Sequence, residues 1–251
     1  MTDAAARRRA LLGAMGVTAW VPRQAPGAAA VAEPSSAAAS VVAETASAPP
    51  ATGPAPAVET ANPAMGLDWD GLAAAVAACQ RCELHQGRTQ TVFGVGNRAA
   101  RWLVIGEAPG QEEDRRGEPF VGRAGQLLNS MLEALGMQRD EVYIANILKC
   151  RPPNNRDPRP EEIACCAPYL ARQIELVAPR IILCVGRIAA QNLLKVQTPI
   201  GKLRGQRHLY GETGIPVVVT YHPAYLLRSP AEKRRAWQDL LFACRVYAEL
   251  P

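Results

Sequence analysis

The chain is poor in planar side chains: three Phe, four Trp, six Tyr and three His stand among 251 residues. It has no uncharged apolar run near the roughly 18 residues that a membrane span needs, so a transmembrane protein is not expected. No Lys-Ser or Lys-Thr closes a Gly-x4-Gly frame, which excludes a phosphate-cradling P-loop. Seven cysteines are too sparse, and odd in number, for a secreted disulfide miniprotein. A Cys-x-x-Cys pair points instead to a metal or cluster site in a reducing compartment. Between Gln24 and Gly66 there is no Lys, Arg, Trp, Phe or Tyr at all.

That last absence sets the domain plan. A stretch of Ala, Pro, Ser and Val, with Pro49-Pro50 and further prolines at 54, 56 and 63, has no large side chains for a core, and its prolines interrupt regular hydrogen bonding. Residues 24–66 read as a disordered linker. Ahead of it, Arg7-Arg8-Arg9-Ala10-Leu11-Leu12 and Trp20 suggest a short helix with a Trp-bearing tail. Glycines, Thr18 and Trp20 interrupt the apolar run that a secretory signal would need. Residues 1–23 read as a docking segment presented to a partner groove. The pattern resembles the N-terminal peptide of the polymerase III psi subunit, which docks on the chi subunit. That resemblance implies a replication-machinery partner.

From 67 to 251 the composition is that of a folded domain. Over the whole chain 48% of residues are hydrophobic and 20% charged, and 28 basic against 23 acidic residues leave a net charge of +5. A mildly basic surface suits a polyanion such as nucleic acid, or serves solubility only. Short apolar runs at 102–105, 142–146, 181–185 and 217–221 read as buried parallel strands. Helical patterns at 124–135, 160–177, 188–195 and 231–248 alternate with them. The expectation is a three-layer α/β/α sandwich around a central four-stranded parallel sheet.

Ligands of such sheets bind at the carboxyl ends of the strands. Glu107 follows the first predicted strand, Asn146 ends the second and His222 follows the fourth. They offer an acid, an amide that both donates and accepts, and an imidazole, a set suited to a small polar heterocycle. Alone, each is as readily a turn or cap residue. Phe120, in a glycine-rich loop, supplies a flat face for stacking or a plug for the core.

The segments Gly106-Glu107-Ala108-Pro109-Gly110, Pro119-Phe120-Val121-Gly122-Arg123-Ala124-Gly125, Asn146, Lys149-Cys150-Arg151-Pro152-Pro153 and Thr220-Tyr221-His222-Pro223-Ala224-Tyr225-Leu226-Leu227-Arg228 together resemble the type-4 uracil-DNA glycosylases. The resemblance spans most of 67–251 and does not reach 1–66. It implies base excision repair by a monofunctional hydrolase acting on N-glycosyl bonds, since no Lys nucleophile belongs to the matched motifs. It implies that Phe120 stacks on a flipped uracil, Asn146 reads its imide edge, His222 faces the carbonyl oxygen that gains charge, and Glu107 and Ala108 line the pocket. Arg123, Leu226, Leu227 and Arg228 are expected at DNA, with Leu226 or Leu227 as the wedge and Arg228 on a phosphate. The best-studied relatives carry an Asp where this chain has Ala108. The water-activating group is therefore open, and a non-catalytic iron–sulfur DNA-binding protein is the alternative. Localisation is expected to be cytoplasmic and nucleoid-associated.

Cys79, Cys82, Cys150 and Cys166 make a four-thiolate set whose spacing fits zinc or an iron–sulfur cluster alike. The resemblance selects Cys166 over Cys165 and implies [4Fe–4S], read mainly as a structural staple. Lys149, Arg151, Arg156 and Arg159 surround the set, as a phosphate track or a solvated loop.

Overall fold

The computed structural model of the chain describes residues 62–251. The expected docking segment and most of the linker lie outside the described residues. Its last five residues do not: Ala64 is fully buried and packs with Leu72, Val76 and Tyr169. The folded part therefore includes 62–66, which composition alone had assigned to the linker.

The helices, in chain order, are α1 (Trp69–Ala77), α2 (Leu84–Gly87), α3 (Gln111–Arg116), α4 (Arg123–Glu133), α5 (Pro160–Val177), α6 (Arg187–Leu194), α7 (Ile200–Leu203), α8 (Pro223–Arg228) and α9 (Lys233–Ala248). The strands are β1 (Val95–Gly96), β2 (Trp102–Gly106), β3 (Tyr143–Asn146), β4 (Ile181–Val185), β5 (Arg207–Tyr210) and β6 (Ile215–Thr220). They form one sheet in the order β1-β3-β2-β4-β6-β5.

The four expected strands are the parallel centre, with pairs such as Gly106↔Asn146 and Cys184↔Val219. The sheet is nevertheless six-stranded, because β1 and β5 add antiparallel edges. Both escaped the sequence reading for a physical reason. β1 is two residues long, too short to show a period, and β5 lies half-exposed at an edge, where no continuous apolar run is required.

The side-chain period of two divides the strands between two cores. Leu103, Ile105, Ala145, Ile182, Cys184 and Val219 face Leu170 and Ile174 of α5 and Ala189 of α6. Val104, Ile144, Ile181, Leu183 and Val218 face Leu128 of α4 and Ala236 and Leu240 of α9. Helices thus cover both faces, the expected three layers. Among the described residues no helix is long and apolar enough to cross a membrane.

Strand order reverses beside β2, with β3 on one side and β4 on the other. A crevice at the carboxyl ends of strands is expected at such a switch point. It is there that the loops after β2, β3 and β6 converge.

Candidate active site and thiolate cage

A cavity of about 380 Å³ at this crevice is lined by Glu107, Ala108, Phe120, Asn146, His222 and Arg228. The size suits a small-molecule pocket. Four elements that are distant in sequence thereby deliver six of the expected residues to one place.

Asn146 is the last residue of β3, and only 2% of it is exposed. Its Oδ1 is the one buried side-chain nitrogen or oxygen among the described residues without a hydrogen-bond partner. No donor of the protein itself reaches this acceptor, and Asn146 lines the cavity, so the oxygen is available to a donor brought by a ligand. A Cβ on Gly106 would stand 2.5 Å from that Oδ1 and 2.6 Å from Phe120 Cζ. Only glycine leaves room for the amide and the ring side by side.

Phe120 is buried with φ at 54°, in the left-handed region that bulky residues avoid. Two features hold it there. Glu113 Oε1 accepts from the backbone N–H of Val121 (2.9 Å) and Gly122 (3.0 Å), and Gly125 lies where any Cβ would collide with the Phe120 carbonyl. A strained backbone so firmly braced marks a ring whose position matters. Its centroid lies 5.6 Å from that of His222, with the planes 31° apart.

His222 caps α8: its Nδ1 accepts from the backbone N–H of Ala224 at 3.1 Å. The neutral ring therefore carries its proton on Nε2. Burial, reinforced by the Arg228 charge, lowers its pKa to about 4. Above that pH the ring is neutral and still a donor. Glu107 behaves oppositely: burial and then the Asp157 charge raise its pKa to about 7, against the pull of Arg187.

The expected DNA contacts divide. Arg228 is exposed and lines the cavity, and Arg123 is exposed at the start of α4, where its neighbour Ala124 lines the cavity instead. Leu226 is 1% exposed and packs in the core beneath the sheet, which corrects its assignment as a wedge. Leu227 is half-buried and does not line the cavity. The segment is helical, so the neighbouring position faces outward: Tyr225 is 37% exposed, lines the cavity and packs on Tyr221 with ring centroids 5.1 Å apart.

Sequence reasoning also missed Glu113, Asn155 and Asp157, which line the cavity. Asn155 belongs to a turn in which Asn154 and Asn155 both have positive φ. An Asn-Asn pair was the available signal. Asp157 is paired with Arg187 at 2.8 Å, a contact 30 residues apart that no local pattern announces.

Cys79, Cys82, Cys150 and Cys166 line a second cavity, together with Cys165. Cys150 Sγ accepts from Arg88 Nη1 at 3.1 Å, and Cys166 Sγ from the backbone N–H of Lys149 at 3.3 Å. Burial pushes the Cys150 thiol up and that of Cys166 up to about 12, and these N–H donors pull the other way, toward the thiolate that binds metal. Cys165 instead donates its S–H to the Arg81 carbonyl at 3.2 Å. Among the described residues, no group of three or more His, Cys, Asp or Glu side chains is arranged to hold a metal ion. The four sulfurs line one cavity, and by its chemistry a four-thiolate set suits zinc or an iron–sulfur cluster alike. The basic residues near it are not alike. Lys149 is 1% exposed, while Arg156 pairs with Glu162 and Arg159 with Glu83.

A family model described as the Uracil DNA glycosylase superfamily matches residues 93–241. The type-4 uracil-DNA glycosylase of Archaeoglobus fulgidus is 47% identical over 167 residues, covering 64% of this chain and 84% of that protein. The type-4 enzyme of Sulfurisphaera tokodaii is 46% identical over 171 residues, 65% of this chain and 78% of that one. The type-4 enzyme of Thermotoga maritima is 45% identical over 161 residues, 64% and 83% respectively.

Proposed function

This chain belongs to the uracil-DNA glycosylase superfamily, and we propose how its residues divide the work of removing uracil from DNA. It is a hydrolase of N-glycosyl bonds that releases free uracil and leaves an abasic site. A base within a duplex must be flipped out before its glycosidic bond is reachable. The flipped uracil stacks on Phe120. Asn146 Oδ1 accepts from the N3–H of the base and its Nδ2 donates to O4. Cytosine presents the opposite pattern at that edge, leaving buried groups unpaired at about 1–3 kcal/mol each.

As the bond breaks, negative charge gathers on the O2 side of the base and positive charge on the sugar. The Nε2–H of a neutral His222 donates to O2 and stabilises that anion without surrendering its proton. The Ala108 position lacks a carboxylate, so the water falls to the polar wall formed by Glu107, Asn155 and Asp157, with Glu107 as the base. At the mouth, Tyr225 fills the gap in the stack and Arg228 holds a phosphate, with Arg123 further along the backbone.

Cys79, Cys82, Cys150 and Cys166 would hold a [4Fe–4S] cluster. When bound, it would supply a cross-link between the segment before β2, the loop after β3 and α5. Residues 1–23 are proposed to dock on the chi subunit of the replication machinery, and the protein to act in the cytoplasm at the nucleoid. A pull-down in which deletion of 1–24 leaves chi-subunit retention unchanged would reject the docking.

The unpartnered Oδ1 of Asn146 carries the reading of the site. Asn146→Ala should abolish uracil release while affinity for non-specific DNA survives. Undiminished excision by that variant would overturn the assignment.

A further inference from the structure

Lys149 takes part in none of the steps above, yet it is among the most completely buried side chains of the protein, at 1% exposure. Its ammonium donates to the backbone carbonyl of Asn146 at 3.0 Å and to Gln173 Oε1 at 2.5 Å. Gln173, on α5, is fully buried. Its Nε2 donates to the Phe93 carbonyl at 2.9 Å and to the Tyr143 hydroxyl at 3.3 Å. Tyr143 opens β3 and Asn146 closes it. The backbone N–H of Lys149 meets Cys166 Sγ, also on α5.

We propose that Lys149 is a positioning residue for base recognition, a buried strut that clamps the end of β3 to α5 and so fixes the main chain from which the Asn146 amide projects. Enclosing an ammonium costs several kcal/mol in desolvation, and that cost is met only when its hydrogen bonds are well formed. A phosphate-tracking lysine would keep its head in solvent, whereas this one turns back three residues toward the base-reading strand. Its chemistry also suits the task. A long arm with three donors reaches a backbone carbonyl and a side-chain amide on two different elements. A reading amide displaced by about 1 Å loses on the order of a hundredfold in rate. The cage side of the strut follows from the same geometry: Cys166 and Gln173 both lie on α5, so the main chain and the side chain of Lys149 are tied to one helix.

The inference rests on Asn146 being the base reader. The test uses the full chain with Lys149→Met, Gln173→Leu and Gln173→Glu, with kcat, KM and melting measured on uracil-containing oligonucleotides. For Lys149→Met and Gln173→Leu, kcat is expected to fall about tenfold to a hundredfold while KM moves less than about threefold. Gln173→Glu keeps an acceptor for the ammonium but gives up the N–H donated to the Phe93 carbonyl, so it should recover part of the Gln173→Leu loss. Wild-type kcat in both Lys149→Met and Gln173→Leu overturns the proposal. So does a loss that vanishes when rates are normalised to the native fraction, or a Gln173→Glu variant no better than Gln173→Leu. If Lys149→Met does not fold, the two Gln173 variants decide alone. Asn146→Ala separates the two layers. Full excision by Asn146→Ala removes the base-reading assignment, whereas an inactive Asn146→Ala beside a fully active Lys149→Met removes only the strut.

Discussion

Asn146→Leu is the substitution in which stability and activity should part most clearly. Leucine has nearly the shape of asparagine, so the space beside Gly106 and Phe120 is kept. What disappears is an acceptor buried without a partner. Leaving such a group unsatisfied costs about 1–3 kcal/mol. For a folded part of this size each kcal/mol shifts the melting temperature by about 2–4 °C, so the variant should melt about 2 to 12 °C higher than wild type. Its kcat should fall by about a hundredfold, because both contacts that hold the base by its imide edge in the reactive position are lost. Thermal melting followed by circular dichroism, and single-turnover release of uracil from an oligonucleotide, measure the two effects. Free uracil should raise the wild-type melting temperature by mass action and leave that of the variant unchanged. A variant that loses activity and also melts several degrees lower would refute the reasoning, since the amide would then be holding the fold rather than awaiting a ligand.

Three further outcomes are expected. Because the ionised Glu107 carboxylate is the form that polarises water and its pKa lies near 7, kcat should climb with pH through about 7 and level off above it. His222, titrating near 4, adds no second limb in that range, and a limb that survives Glu107→Gln would reject Glu107 as its source. Tyr225→Ala should slow excision from duplex DNA roughly tenfold, the worth of one aromatic–base stack, and affect single-stranded substrate much less. Equal losses on both substrates would remove the wedge role. If Cys150 holds the proposed cluster, Cys150→Ser should lower the melting temperature sharply while kcat per native molecule stays within about threefold, since removing a structural ligand acts on folding. The opposite pattern, unchanged melting with lost turnover, would place the cage in the chemistry.

The chain alone declared its four central strands, because strands buried on both faces must be continuous apolar runs. It declared the helices between them, because amphipathic periodicity repeats over several turns. Four residues of the cavity wall, Glu107, Phe120, Asn146 and His222, were also legible, since each stands next to such a run or within a glycine-rich motif. Contacts that depend on direction were not legible. Leu226 and Tyr225 are adjacent in sequence, and only the turn of α8 on the sheet sends one into the core and the other to the rim. Lys149 looked like one basic residue among several, and only the approach of Gln173 across 24 residues made a buried position tolerable for its charge. Asp157 entered the cavity wall through Arg187, 30 residues away. Periodicity follows from a residue's own neighbours along the chain, so the amino-acid order suffices to reveal it. Burial and pairing depend on groups brought close from elsewhere, and those were decided only when the layers packed.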